Sequence, residues 1–483
     1  FKNVGHQSYC RNASKKWKKL RSTKGGFSVK VPAFYERKGN VLYGAKVGDF
    51  HELVQAYDGD QHAYYLLAQK SLHDYYYIES DSFELRQILV EFAKEHKMKV
   101  KKTTYGETND NHPFIKAHIN NEEKGDLAFM AVLKGPQYYM LLAKNKEVNT
   151  ENEFFNSFKT FLAKDQATYI SYQDTALKFT VNTMKQQGDP FRPFSARRYS
   201  HQSNSYSKDK KFYEYKSIDH TFFNIETNEV IGLNFYKYHD YYTLDEEKKY
   251  IKRIKDNLID DDFEGLELVT FKEDELNGHR RLYFDMRDTA SNHRKVMGQV
   301  IWRGGVAYTM KTCYSSKYGL SDFQKKFMES FTPFTDTTIG PDIFKEKGNL
   351  FLEKINSPDS NIRENALSSL ASYVRFEEQH IPGVTKFVDT YEFDDDDKKY
   401  QPELIEELGS LPDASAQIIP YLEKKYKESS EERPDLQFAS LQALADLDKK
   451  EAVAAFKKLI LNDPPLTQGY EISNIFYRLD DSL

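Results

Sequence analysis

Two stretches of this chain end alike, Asn156-Ser-Phe-Lys-Thr-Phe161 and Glu329-Ser-Phe-Thr-Pro-Phe334, and the pattern before each ending repeats as well. In the first stretch an alternating run, Phe27-Ser-Val-Lys-Val-Pro32, reads as a strand ended by proline, with further strands expected at Val41 to Lys46 and His62 to Lys70. Asp81 and Glu84 form a capping-box-like start for a helix over about 82–95, whose Leu85, Ile88, Leu89 and Phe92 share a face. Four strands follow, at Met98 to Tyr105, Phe114 to Ile119, Asp126 to Lys134 and Gln137 to Lys144, a meander. Thr150 and Glu153 then open a closing helix that carries Phe154, Phe155, Phe158 and Phe161.

The second stretch has the same order. Strands are expected at Leu177 to Val181 and Val230 to Tyr238, and a helix from Thr243 and Glu246 carries Leu244, Ile251, Ile254 and Leu258. Strands at Leu266 to Phe271, Arg281 to Met286, Val296 to Trp302 and Val306 to Thr312 lead to a closing helix with Phe323, Phe327, Met328 and Phe331. A chain that repeats such an order folds as two domains of one build, and the 34 Tyr and 34 Phe fall largely into these alternating runs as sheet material.

Beyond Pro341 the period changes to that of short amphipathic helices, and Leu370, Leu408 and Leu444 recur in similar contexts 38 and 36 residues apart. The spacing is close to the HEAT period of about 40, each leucine segment is followed by a second helix, and the region resembles HEAT-like repeats. Continuation of the array past Leu483 is expected. The division is therefore a linker at 1–24, α/β domains at 25–164 and 165–336, and a helical repeat domain at 342–483. The fold class is α+β: two antiparallel-sheet α/β/α sandwiches plus a C-terminal α-helical solenoid.

The two α/β domains resemble the PsbP-like family, the sandwich shared by photosystem extrinsic proteins and Ran-binding relatives. The resemblance rests on the Phe-x-Val-x-x-Pro-like opening strand, the central helix before a meander and the Ser-Phe of the closing segment, over about 25–162 and 168–334. The second copy departs at its opening, where Phe179-Thr-Val181 is followed by Asn182 rather than by the proline. The resemblance implies a non-enzymatic accessory or assembly role, and it transfers no catalytic residue.

Charge and composition narrow the partners. With 69 basic and 74 acidic residues and a net charge of −5, no general field favours nucleic acid or an anionic membrane. Cys10 and Cys313 are too few and too far apart for a disulfide framework or a cysteine zinc site. No run approaches the length of a bilayer span, and the lysine-rich segment before Phe27 lacks the apolar core of a signal peptide. The chain opens on Phe1, so a piece of a longer polypeptide is expected, with any leader, anchor or catalytic domain outside it.

Several constellations invite a site. His112 and His118 are an even number of residues apart and would share a strand face, where two imidazoles could begin a metal site; His279 holds the place of His112 in the second copy, just after a turn. His239 and Asp240 with Asp285, Asp288 and His293 could supply an acid–base set. Tyr75 to Tyr77 and Tyr236, Tyr238, Tyr241 and Tyr242 could form stacking platforms. The basic loop from Gly188 through Arg198 to Lys211 suits a partner-ordered segment, and Asp394 to Asp397 lacks EF-hand spacing and reads as a solvated loop. None is assigned as catalytic, cofactor-binding or metal-ligating, and no cofactor is expected. The expected function is a non-enzymatic scaffold mediating protein–protein interaction in a bacterial envelope assembly, extracytoplasmic (periplasm, cell surface or an outer-membrane complex), with other proteins as partners and no nucleic acid. The alternatives are the non-catalytic part of a larger enzyme and a glycan-binding protein.

Overall fold

A computed structural model gives the fold, and the description covers residues 16–39, 52–71, 80–121, 125–144, 149–184, 216–224, 226–227, 229–244, 247–260, 265–395, 397–429 and 433–466. The strand expected at 41–46, Tyr75 to Tyr77, the loop from Gly188 to Lys211 and Cys10 lie outside these residues. Two compact units emerge, Phe1–Lys237 with Lys248–Ile339, and Tyr238–Glu247 with Gly340–Leu483.

The first unit holds both α/β domains. The first comprises β1 (Lys18–Ser22), β2 (Phe27–Val31), β3 (Tyr35–Gly39), β4 (Glu52–Asp58), β5 (Ala63–Ser71), α1 (Asp81–Glu95), β6 (Lys99–Glu107), β7 (Pro113–Asn121), β8 (Gly125–Lys134), β9 (Gln137–Lys144), α2 (Glu153–Asn156) and β10 (Lys159–Thr160). The second comprises β11 (Tyr169–Asp174), β12 (Phe179–Met184), β13 (Lys216–Asn224), β14 (Glu229–Lys237), α3 (Glu247–Asp260), β15 (Leu266–Leu276), β16 (His279–Asp288), β17 (Arg294–Arg303), β18 (Val306–Ser315), α4 (Asp322–Ser330) and β19 (Thr332–Pro333).

Each domain has one large antiparallel sheet, ordered β3-β4-β5-β9-β8-β7-β6 or β13-β14-β18-β17-β16-β15, and one small sheet, β1-β2-β10 or β11-β12-β19. The expected meanders are present. The opening strand, however, does not pair with the strands that follow it: β2 lies between β1 and the closing segment β10, and β12 between β11 and β19. The physical reason is coverage of both sheet faces. On one face Phe27, Val29 and Val31 pack with Phe154, Phe155 and Phe158 against Tyr65, Leu67, Met130 and Tyr139; on the other, Leu85, Ile88 and Leu89 of α1 pack against Ile115, Ile119, Phe129 and Leu142. Accordingly β7 alternates buried and partly buried residues, while β8, covered on both sides, is buried almost throughout. The second copy repeats the first arrangement, with Phe179, Val181 and Met184 against Phe222, Leu233, Tyr308 and Met310, and Phe327 and Phe331 from the closing segment.

Helix starts differ in detail from the expected boxes. Ser80 caps α1, its Oγ accepting from the Phe83 N–H at 3.2 Å, and Asn152, not Thr150, caps α2, which is a single turn. Ser321 and Gln324 close a full capping box on α4. The helix α3 starts at Glu247, so Leu244 falls outside it. The segment Tyr238–Glu247 belongs instead to the helical unit, where Tyr241 is core and Leu244 N–H donates to the Ile343 carbonyl at 2.9 Å.

The second unit contains α5 (Gly348–Ile355), α6 (Ser360–Leu367), α7 (Leu370–Tyr373), α8 (Ile381–Thr390), α9 (Tyr400–Glu407), α10 (Ser415–Glu428), α11 (Pro434–Asp446) and α12 (Lys450–Asn462). Among them α5 packs on α6, α9 packs on α7, α8 and α11, and α10 and α12 pack on α11 and on each other. Leu370, Leu408 and Leu444 are all fully buried in one core cluster of this unit. The row α8–α10–α12 is joined by ion pairs, Lys425 to Asp389 at 2.5 Å and Lys458 to Glu423 at 3.2 Å. In α11 the small residues Ala439, Ser440 and Ala443 are buried, and Gly409 approaches the Ala443 backbone so closely that a Cβ there would meet it at 2.8 Å.

Candidate functional site

The duplicated domains close by the same local chemistry. Ser157 Oγ accepts from the Lys30 N–H at 2.8 Å, and Ser330 Oγ from the Asn182 N–H at 2.8 Å. The N–H of Phe161 donates to the Gly26 carbonyl and that of Phe334 to the Lys178 carbonyl, each at 2.8 Å. The hydroxyl of Tyr139 donates to the Gly25 carbonyl at 2.6 Å, and that of Tyr308 to the Leu177 carbonyl at 2.7 Å. The Ser-Phe-x-x-Phe ending is therefore a clasp that fixes the opening strand over the sheet.

In the first copy the clasp gains a buried cation. Lys134, at the end of β8, donates to the Phe161 carbonyl at 2.7 Å, the Tyr139 hydroxyl at 3.2 Å and the Gly26 carbonyl at 3.3 Å. Three acceptors match the three protons of an ammonium. Burial nevertheless pulls its pKa down to about 7, with Glu229 and Asp110 opposing. Burial likewise pushes Glu229 up to about 7, against hydrogen bonds from Thr227 and Ser321 and the attraction of Lys134.

Around this cation the two domains meet in a polar seam. Thr160 of the clasp donates its Oγ1–H to Asp110 Oδ2 at 2.6 Å, its N–H reaches the same oxygen at 2.9 Å, and its Oγ1 lies 2.9 Å from the hydroxyl of Tyr318 in the other domain. Tyr318 also faces His112 Nε2 at 3.4 Å, and Lys317 donates to the Asp110 carbonyl. The rings of His112 and His293 are 5.6 Å apart, and His293 lies 3.9 Å from Asp81 at the start of α1. Lys24 pairs with Glu226 at 2.5 Å, Gln137 donates to the Thr227 carbonyl at 2.8 Å, and a Cβ on Gly135 would come within 3.0 Å of Ser315.

Burial works to raise the Asp110 pKa, but hydrogen bonds from Thr160 and Thr108 outweigh it and hold the carboxyl below its ordinary value. Burial pushes His112 down to about 4, with Asp110 opposing and Lys317, His293 and Lys134 adding to the fall. Burial raises Asp81, against a hydrogen bond from Ser291 and the charge of His293. The seam concentrates titratable groups whose protonation depends on its closure.

The sites expected from sequence fare unequally. His112 and His118 are not brought together: His112 is fully buried at the seam, whereas His118 faces Asp126 at 3.5 Å. Among the described residues no group of three His, Cys, Asp or Glu is placed to hold a metal ion. His279 does share the hairpin position of His112, buried and hydrogen-bonded to the backbone of Pro333 in the second clasp. The acid–base set falls apart, because Asp288 holds buried Arg294 at 2.8 Å, Asp285 accepts from Tyr314 at 2.7 Å, His293 faces Asp81, and His239 stacks on Tyr373 in the helical unit at 4.0 Å. Tyr241 is core, so it offers no stacking platform; Tyr238 and Tyr242 stack on each other at 5.3 Å. In the acidic run Asp397 is buried, accepting from Tyr391 at 2.7 Å, and so is not a solvated loop residue. Sequence reasoning missed Thr160, Tyr318 and Lys134. The one signal for Lys134 is its alignment with Arg303 before the equivalent β-turn glycines Gly135 and Gly304.

No protein-family model matches the chain, and no curated protein matches it. Among solved structures, cyanobacterial PsbP (CyanoP) from Synechocystis sp. PCC 6803 aligns with 33% of this chain and 99% of its own at 9% identity and a TM-score of 0.24. Immunity protein TplEi of the T6SS from Pseudomonas aeruginosa, complexed with "L" peptide, aligns with 66% of this chain and 99% of its own at 9% identity and a TM-score of 0.17. Its apo structure aligns over 66% and 97%, again at 9% and 0.17. These likenesses are too distant to bear on activity.

Proposed function

We propose that this chain is a non-enzymatic scaffold of a bacterial envelope assembly, built from tandem PsbP-like domains and HEAT-like repeats that present protein-binding surfaces outside the cytoplasm. The observation that supports the reading is the succession of helix contacts in the helical unit, where α9 packs on α7 and α11 and α10 packs on α12. Stacks of this kind bury a core between repeats and leave an extended face along each row of helices, which suits a large protein partner better than a small molecule. Lys424 and Lys427 of α10 and Lys457 of α12 are exposed.

The test is purification of the full-length protein at native abundance from its own cells, with mass spectrometry of the intact chain and of stoichiometric partners. The reading expects an envelope protein at fixed stoichiometry whose recovery falls at least tenfold when Lys424, Lys427 and Lys457 are changed together to Glu. A protein that purifies alone with an attached catalytic domain would overturn it.

A further inference from the structure

We propose that the contact between the hairpin tip at 108–112 and the turn at 315–319 is an acid-released latch between the two α/β domains, with His112 as the group that opens it. The closed seam has no place for a second proton on this imidazole. His112 is 0% exposed, its Nε2 faces the Tyr318 hydroxyl at 3.4 Å, and its Nδ1 is buried with no hydrogen-bond partner among the described residues. An imidazolium needs an acceptor for each N–H and loses its hydration on burial. The acid nearest in sequence, Asp110, is already engaged by the Thr108 hydroxyl on Oδ1 at 2.8 Å and by Thr160 on Oδ2.

Every element packed around the ring adds a charge to the account. From its own hairpin comes Asp110, the one group favouring the imidazolium; from the 315–319 turn, Lys317 and the neutral Tyr318; from the loop before β17, His293; and from the end of β8, Lys134. Three of these are cations or potential cations. Opening the seam hydrates His112 and lets it protonate in its ordinary range.

The sign follows by linkage. His112 titrates at about 4 in the closed seam against 6.5 when solvated, so the open state takes up a proton that the closed state refuses, and closure is weakened as pH falls from 6.5 to 4. Below 4 both states are protonated and the loss levels off. The difference corresponds to at most roughly 300-fold in the closed-to-open ratio. Asp110, held below its ordinary value, adds to the loss only at still lower pH. Asp81, raised by burial, opposes it, as does Glu229, raised by burial beside the charge of Lys134. Asp81 and Glu229 act alike in the protein and in a His112 variant, and Asp110, which feels the His112 charge, acts only below the window in which His112 titrates, so the comparison of the two isolates the latch.

The experiment uses the full chain with spin labels on cysteines placed at exposed Thr104 and Lys325, one in each domain, and reads the interdomain distance by pulsed dipolar spectroscopy from pH 7.5 to pH 4. The latch predicts one narrow distribution at pH 7.5 and a growing longer or broader component below pH 6, which His112→Gln, able to face Tyr318 but unable to take the proton, suppresses at least tenfold. Tyr318→Phe, which removes the hydroxyl shared by Thr160 and His112, broadens the distribution at every pH and covers the case in which His112→Gln fails to fold. A distribution that stays narrow to pH 4, or one that broadens equally in the protein and in His112→Gln, would overturn the proposal.

Discussion

The two α/β domains share a clasp and differ in what fills it. At the left-handed residue before the opening strand the first copy has Gly26, with φ 64°, and the second has Lys178, with φ 58°. The reason lies one shell away. A Cβ on Gly26 would meet Lys134 Nζ at 2.4 Å and the Phe161 carbonyl at 2.6 Å, whereas in the second copy the residue equivalent to Lys134 is Arg303, which reaches instead to the Thr335 carbonyl at 2.7 Å. Thr160 of the first clasp, whose hydroxyl reaches the neighbouring domain, is matched by Pro333, which has no donor to offer. Duplication kept the scaffold bonds, and divergence at three positions made the first clasp into half of an interdomain joint.

The comparison can be broken or sharpened by paired substitutions, read domain by domain through native-state hydrogen exchange because a chain of several domains has no single unfolding free energy. The largest effect is expected from Phe27→Ala and Phe179→Ala, both 0% exposed, at about 3–5 kcal/mol each in their own domains; a large loss in one copy alone would show that the clasps are not equivalent. Lys134→Ala strips three buried acceptors of their donor and should cost about 2–4 kcal/mol, against about 1 kcal/mol for Arg303→Ala. Gly26→Ala should cost about 1–3 kcal/mol through crowding against Lys134, while Lys178→Gly should be neutral or stabilising by up to about 1 kcal/mol, since glycine carries no penalty at positive φ. Smallest and equal, Ser157→Ala and Ser330→Ala should each cost about 1 kcal/mol for one backbone hydrogen bond.

Much of this architecture was legible from local pattern. The meanders, the helix at Asp81–Glu95 and the closing Ser-Phe follow from alternation, capping residues and helical spacing, all set by neighbours in sequence. Pairing of β2 with β10 was not legible, because it joins residues more than a hundred positions apart, and neither segment carries a signal for the other. The transfer of Tyr238–Glu247 to the helical unit was hidden for a related reason: Tyr241 is an aromatic residue in an aromatic run, and only its surroundings show which core it serves. The seam was the least legible. It is built from single residues of two domains, among them Thr160, Lys134 and Tyr318, ordinary in sequence until folding places them together. His112 drew attention through the wrong partner, since strand periodicity paired it with His118 while the fold pairs it with His293 and Tyr318.

The central claim is that the first clasp and the second domain are energetically one joint, and the most direct test is a double-mutant cycle on Thr160→Val and Tyr318→Phe in the full chain. The two hydroxyls lie 2.9 Å apart across the seam, so the account predicts a coupling energy of about 0.5–2 kcal/mol in the protection of the joint. Strictly additive losses, with coupling indistinguishable from zero, would mean that the domains merely touch and would contradict it.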